Sequence, residues 1–121
     1  MSDADVFDPA ALDRLVRFGG VKLLDALVDT FRTNGRERID AGRRAVAEGN
    51  QDGAKLAFHS LKSSAAQLGA AALSRLCAEA EALAKEGDLA DLASRLPAIE
   101  RAYTDAVEWM RTRGDHSESP T

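Results

Sequence analysis

With one cysteine, Cys77, the chain cannot close an internal disulfide, so its fold must rest on burial, and a reducing compartment is expected. Aromatic residues supply 5% of the 121 positions and β-branched residues are scarce, which removes the usual material of sheets. No apolar run approaches the roughly 20 residues that a bilayer-spanning helix needs. The opening "MSDADVFDP" has no apolar core and does not read as a signal peptide, which makes the cytoplasm the expected location. Nor is there a basic excess: mixed charges sum to −4, a balance that attracts neither nucleic acid nor an anionic membrane. Charge alone leaves a protein partner, or none, open.

Metal and nucleotide chemistry also lack their residues. Zinc needs three or four converging ligands, and one cysteine with two histidines falls short unless carboxylates fill the gap, so no metal site is expected. "FGGVK" at 18–22 lacks phosphate-loop spacing. Ser60, Ser63 and Ser64 flank His59 without a strained elbow or an evident oxyanion hole. Glu79, Glu81 and Glu86 read as a solvated helix face rather than a glycosidase pair.

What the chain does have is alanine and leucine, both strong helix formers. Its length fits one domain with a single modest core. Asp8 followed by Pro9 marks a helix start, with Phe7 and Leu12 placed as a hydrophobic staple. "FGG" at 18–20 ends that short element. Leu24, Val28, Phe31, Gly35, Ile39, Gly42 and Val46 then recur every three or four residues, the stripe of a long second helix. Gly35 and Gly42 either weaken it or mark close packing.

Asn50 caps a third helix that stops at Gly69. Leu73, Leu76, Cys77, Ala80 and Ala84 give the buried stripe of a fourth, stopped by Gly87. Asp88 caps a last helix with Leu92, Leu96, Ile99, Tyr103, Ala106 and Met110 inward, which Pro97 should kink or restart. Short loops between amphipathic helices predict an all-α fold: an antiparallel up-down four-helix bundle with a short extra N-terminal helix as a lid. The bundle is expected over 1–113, and the polar "GDHSESPT" over 114–121 as a disordered tail.

His59 stands apart from this pattern. At about 100° per residue, Ala54, Ala57, Phe58, Leu61, Ser64, Ala65 and Leu68 share the inner face of the third helix. The imidazole lies two residues before Leu61, about 160° from the centre of that face, and looks outward. Its stripe reads Asp52, Leu56, His59, Ser63, Ala66 and Ala70, small and nearly uncharged where a solvated face is ordinarily filled with charge. Lys62, one turn on, can bring an ammonium near anything attached to the ring. Geometry leaves two readings open: an idle exposed histidine, or one that another protein surface can approach.

The stretch "HSLKSSAAQLGAAALSRLCAEAEALAKEG" resembles the signature of histidine-containing phosphotransfer (HPt) domains. The matching residues are His59, Lys62, Ser63, Leu68 with Gly69, Leu73, Leu76 with Cys77, and Glu81. Many members carry glycine where this chain has Ser63, which is still small.

The resemblance implies a phosphoryl carrier, not an autonomous enzyme, that relays a phosphoryl group between aspartates of receiver domains. Its partners would be receiver domains of response regulators or hybrid sensor kinases, and the chain itself a monomer. His59 is the implied phosphoacceptor. Lys62 would neutralise phosphoryl oxygens, small Ser63 would keep the ring accessible, and Glu81 would orient the ring through its non-reacting nitrogen. Leu56, Ala66 and Ala70 are expected in the docking face. No cofactor is expected on this chain; the Mg²⁺ of the transfer would sit in the partner receiver's acidic pocket.

Two rival readings stand beside this one. In a sensor-kinase fragment an acidic residue usually follows the histidine, whereas Ser60 and Leu61 follow here, and 121 residues hold no nucleotide-binding domain. A non-phosphorylated helical adaptor binding a receiver-like partner would share the fold and surface, and differ only in chemistry at His59.

Overall fold

Helix boundaries follow the caps and glycines written into the chain. The computed structural model describes residues 6–118, with side chains through Thr112. Helix α1 (Pro9–Glu48) starts at Asp8, whose Oδ1 accepts from the Ala10 amide at 3.1 Å. At Gly20 the backbone turns to φ 81°, a left-handed value that only glycine adopts cheaply, and the helix breaks there. Residues 9–19 are thus the expected short N-terminal helix and 21–48 the long one.

Helix α2 (Gln51–Gln67) is capped by Asn50, whose Oδ1 accepts from the Gly53 amide at 2.9 Å. Helix α3 (Ala71–Glu86) ends at Gly87, and α4 (Leu89–Glu118) opens where Asp88 Oδ1 accepts from the Asp91 amide at 3.1 Å. No strand occurs among the described residues.

Two expectations for α4 need correction. Of the kink or restart expected at Pro97, the restart does not occur, since Pro97 lies inside the helix. It is exposed, so the carbonyl that loses its intrahelical donor can turn to water. The helix also runs on through Glu118, into the segment expected to be a disordered tail over 114–121. Extending a formed helix adds about one hydrogen bond per residue, and Gly114 alone is too weak a breaker to stop it. Residues 119–121 lie outside the described residues, and the His116 side chain is likewise not described.

Each helix packs on the next, and α4 closes the ring against α1. Short connections at Gly49–Asn50, Leu68–Ala70 and Gly87–Asp88 make neighbours antiparallel, the expected four-helix bundle. Ile39, Phe58, Leu61, Leu73, Leu92, Ile99 and Met110 fill the centre, each at most 1% exposed. Burying a ring such as that of Phe58 contributes about 1.5–3 kcal/mol.

The two ambiguous glycines prove to be packing sites. A Cβ at Gly42 would stand 2.6 Å from Phe58 Cζ, and one at Gly35 would stand 2.6 Å from Tyr103 Cε1. The short N-terminal arm is pinned as well. The Asp8 amide donates to the Gly69 carbonyl at 2.7 Å, and Phe7 stacks on Trp109 with centroids 4.6 Å apart.

Candidate functional site

His59 rides the outer face of α2, one residue after fully buried Phe58, so packing of that ring fixes the turn beneath the imidazole. Its side chain is 57% exposed. The buried flank of the ring meets α3: Nδ1 lies 2.9 Å from Glu81 Oε2. Glu81 follows Cys77 and Ala80 on the inner stripe of α3, which is why its carboxylate is held at the α2–α3 seam and is 8% exposed.

The other oxygen of Glu81 is also taken. Lys62 Nζ donates to Oε1 at 2.7 Å, and Lys85 Nζ stands 3.9 Å from Oε2. Lys62, the strongest influence, and then His59 hold the Glu81 carboxyl below the usual carboxylate range, against burial, which pushes it up. Glu81 is therefore ionised near neutral pH. A carboxylate only accepts, so Nδ1 must carry the proton of this contact. The lone pair of a neutral ring is left on Nε2, which faces away from Glu81. An imidazole so held presents a nucleophilic nitrogen to solvent with its tautomer set by a carboxylate on the next helix.

The surroundings of Nε2 are small. Ser63 and Ala66 are exposed on the next turns, and the Ser63 hydroxyl donates to the His59 carbonyl at 3.4 Å, folded back along its own helix. Leu56, one turn earlier, is 69% exposed. These residues were expected beside His59, and the structure brings them together on one face.

Ala70 does not belong there. It is fully buried in the core, and its amide donates to the Ala65 carbonyl at 2.8 Å. The reason is Gly69: at φ 80° it ends α2 and turns the chain inward, so a helical stripe projected from His59 no longer applies at 70. Ser64, expected on the inner face, is exposed at its edge, with its hydroxyl donating to the Ser60 carbonyl at 3.2 Å.

The sequence misplaces Glu81, read as part of a solvated helix face but buried at the α2–α3 seam, and misses two further things. It placed Lys62 beside the ring but did not see that Glu81 holds it; no local spacing encodes a contact between α2 and α3. It also overlooked the α1 side of the site, where Arg38, Ala41 and Ala45 share a groove with Leu56 and Ser60. Cys77 lies fully buried and is inert, its thiol pushed up to about 12 by burial. No trio of histidine, cysteine or carboxylate side chains converges to hold a metal among the described residues. No helix among them is long and apolar enough to cross a membrane.

The family model described as Hpt domain matches residues 26–109. The fold is similar to the crystal structure of histidine-containing phosphotransfer protein B (HptB) from Pseudomonas aeruginosa PAO1. The TM-score is 0.85 at 22% sequence identity, over 92% of this chain and 96% of that one. At that identity the likeness speaks for the fold. No curated protein matches the chain in sequence.

Proposed function

The chain belongs to the Hpt domain family of histidine phosphotransfer in two-component signalling, and on that footing we propose that it relays phosphoryl groups between receiver aspartates through His59. The observation that carries this reading is the exposed imidazole whose Nδ1 is engaged by a buried, ionised Glu81.

In the forward step the Nε2 lone pair attacks the phosphorus of an aspartyl phosphate in line with the departing oxygen. The N–P bond forms as the P–O bond to the aspartate breaks, and the carboxylate leaves with that electron pair. The proton on Nδ1 stays where it is. Positive charge that develops on the ring is met by Glu81 at 2.9 Å, a contact made before the reaction begins. Return of the phosphoryl group to a second aspartate is the same step reversed.

Lys62 is positioned to swing from Glu81 Oε1 toward the phosphoryl oxygens, where a cation favours their charge. Ser63 and Ala66 leave room for a receiver's acidic pocket to close over the ring. The Mg²⁺ of the transfer belongs to that pocket. The chain acts as a carrier without autonomous catalysis.

The test is a two-receiver transfer. A receiver domain carrying labelled aspartyl phosphate is mixed with the chain, and a second receiver is then added. The reading expects label to appear on this chain as an acid-labile phosphate and to move on to the second receiver. Stable binding of receivers with no label on the chain would make it an adaptor instead.

A further inference from the structure

A groove of about 430 Å³ runs along the α1–α2 seam, walled by Leu56 and Ser60 from the turns of α2 around His59. On the helical wheel Leu56 lies about 60° and Ser60 about 100° to one side of His59, and Lys62 about 60° to the other. The imidazole therefore sits between the Glu81 cluster on the α3 side and this groove on the α1 side.

The groove is apolar at its base and charged at its rim. Ala41 and Ala45 of α1 face Ala57 and Leu56 of α2 across it. Leu56 is one of two large apolar side chains left in the open among the described residues. Arg38, Arg44 and Glu48 stand along the α1 edge. Their neighbours Arg36 and Arg43 are committed to Glu100 and Asp40. Arg38 and Arg44 make no ion pair among the described residues. In a chain of net charge −4, two uncommitted guanidiniums at the lip of an apolar groove form a local positive excess.

We infer that this groove takes an apolar side chain of the docking receiver domain, and that Arg38 and Arg44 select receivers presenting carboxylates next to that side chain. The inference rests on the phosphotransfer reading above. A protein contact of standard size covers about 800 Å² on each partner, so one centred on His59 reaches far past the ring. On the α1 side the ground it covers is this groove. Glu48 repels a carboxylate at its own position, which gives the recognition a direction: acidic side chains toward the arginines. Rim charges of this kind act chiefly on the rate of encounter and on the choice of partner.

The experiment compares wild type with the double variant Arg38→Glu, Arg44→Glu, using two phosphodonors. One is a set of receiver domains charged with acetyl phosphate that phosphorylate the wild type; the other is phosphoramidate, too small to touch the groove. Transfer from the receivers should fall at least tenfold in the variant and its salt dependence should invert, added salt now speeding transfer where it slows that of wild type, while labelling of His59 by phosphoramidate is unchanged. Receiver transfer at the wild-type rate overturns the inference, and so does equal slowing with phosphoramidate, which would place the damage at the ring. If wild type takes phosphate from phosphoramidate but from no receiver, the relay reading itself fails and the groove's partner with it.

Discussion

His59 and Lys62 hold the two oxygens of one carboxylate: Glu81 Oε2 lies 2.9 Å from His59 Nδ1, and Oε1 accepts from Lys62 at 2.7 Å. The ring and the nearest cation of the site are thus fixed by a single buried side chain from the neighbouring helix.

That arrangement sets an order of effects on transfer. Lys62→Ala removes the cation that can follow the phosphoryl group, and should slow transfer by about 10- to 100-fold, the scale of one charge-assisted hydrogen bond of about 1.5–3 kcal/mol. Glu81→Ala should cost less, because it frees Lys62 while loosening the ring. Glu81→Gln should be mildest, since an amide oxygen still accepts from Nδ1. Single-turnover transfer rates check the order. A Lys62→Ala protein that works at the wild-type rate makes the lysine a structural partner of Glu81 only.

Stability should report the same carboxylate through pH. Glu81 is held below the ordinary glutamate value of 4.5, first by Lys62 and then by His59. A depressed folded value means that its stabilisation is complete above the unfolded value and is lost as pH falls through the folded one. The stability gap between wild type and Glu81→Gln, read from urea melts, should therefore narrow from about pH 5 to about pH 3. A gap that stays constant over that range shows that the ion pair contributes nothing to the fold.

Much of this was legible before the structure. Asp8, Asn50 and Asp88 announced their helices because a cap is a local signal, and Gly20, Gly69 and Gly87 announced the breaks for the same reason. The stripe around Phe58 and Leu61 fixed which way His59 faces. Ala70 was misplaced because periodicity holds only within one helix, and Gly69 ends it. The hold of Glu81 on Lys62, and the groove that α1 completes, join residues far apart in sequence, which spacing along one helix does not encode.

Gly42 offers a check on the packing beneath the site. Alanine there improves helix propensity by about 1 kcal/mol, yet its Cβ would meet the fully buried ring of Phe58. Overpacking of a filled core costs about 1–3 kcal/mol, so the net effect of Gly42→Ala is a loss of stability. A thermal melt that rises in this variant contradicts the close approach of α1 and α2.

Docking is tested on the open side of the ring. Ala66 is exposed, so Ala66→Glu should leave the melt within about 0.5 kcal/mol of wild type. It should also place a bulky negative side chain where a receiver's acidic pocket must close, and suppress transfer. Normal transfer by this variant moves the docking face elsewhere.

The central claim is that phosphate resides on His59 at Nε2 while Glu81 holds Nδ1. The direct measurement is to map the phosphate after reaction with a charged receiver, by fragmentation mass spectrometry for the residue and ³¹P–¹⁵N NMR for the nitrogen, on wild type and on His59→Gln. The account predicts one acid-labile phosphate on Nε2 of His59, none on His59→Gln, and a nearly unchanged thermal melt in that variant. Phosphate on Nδ1, on His116, or persisting in His59→Gln would contradict it.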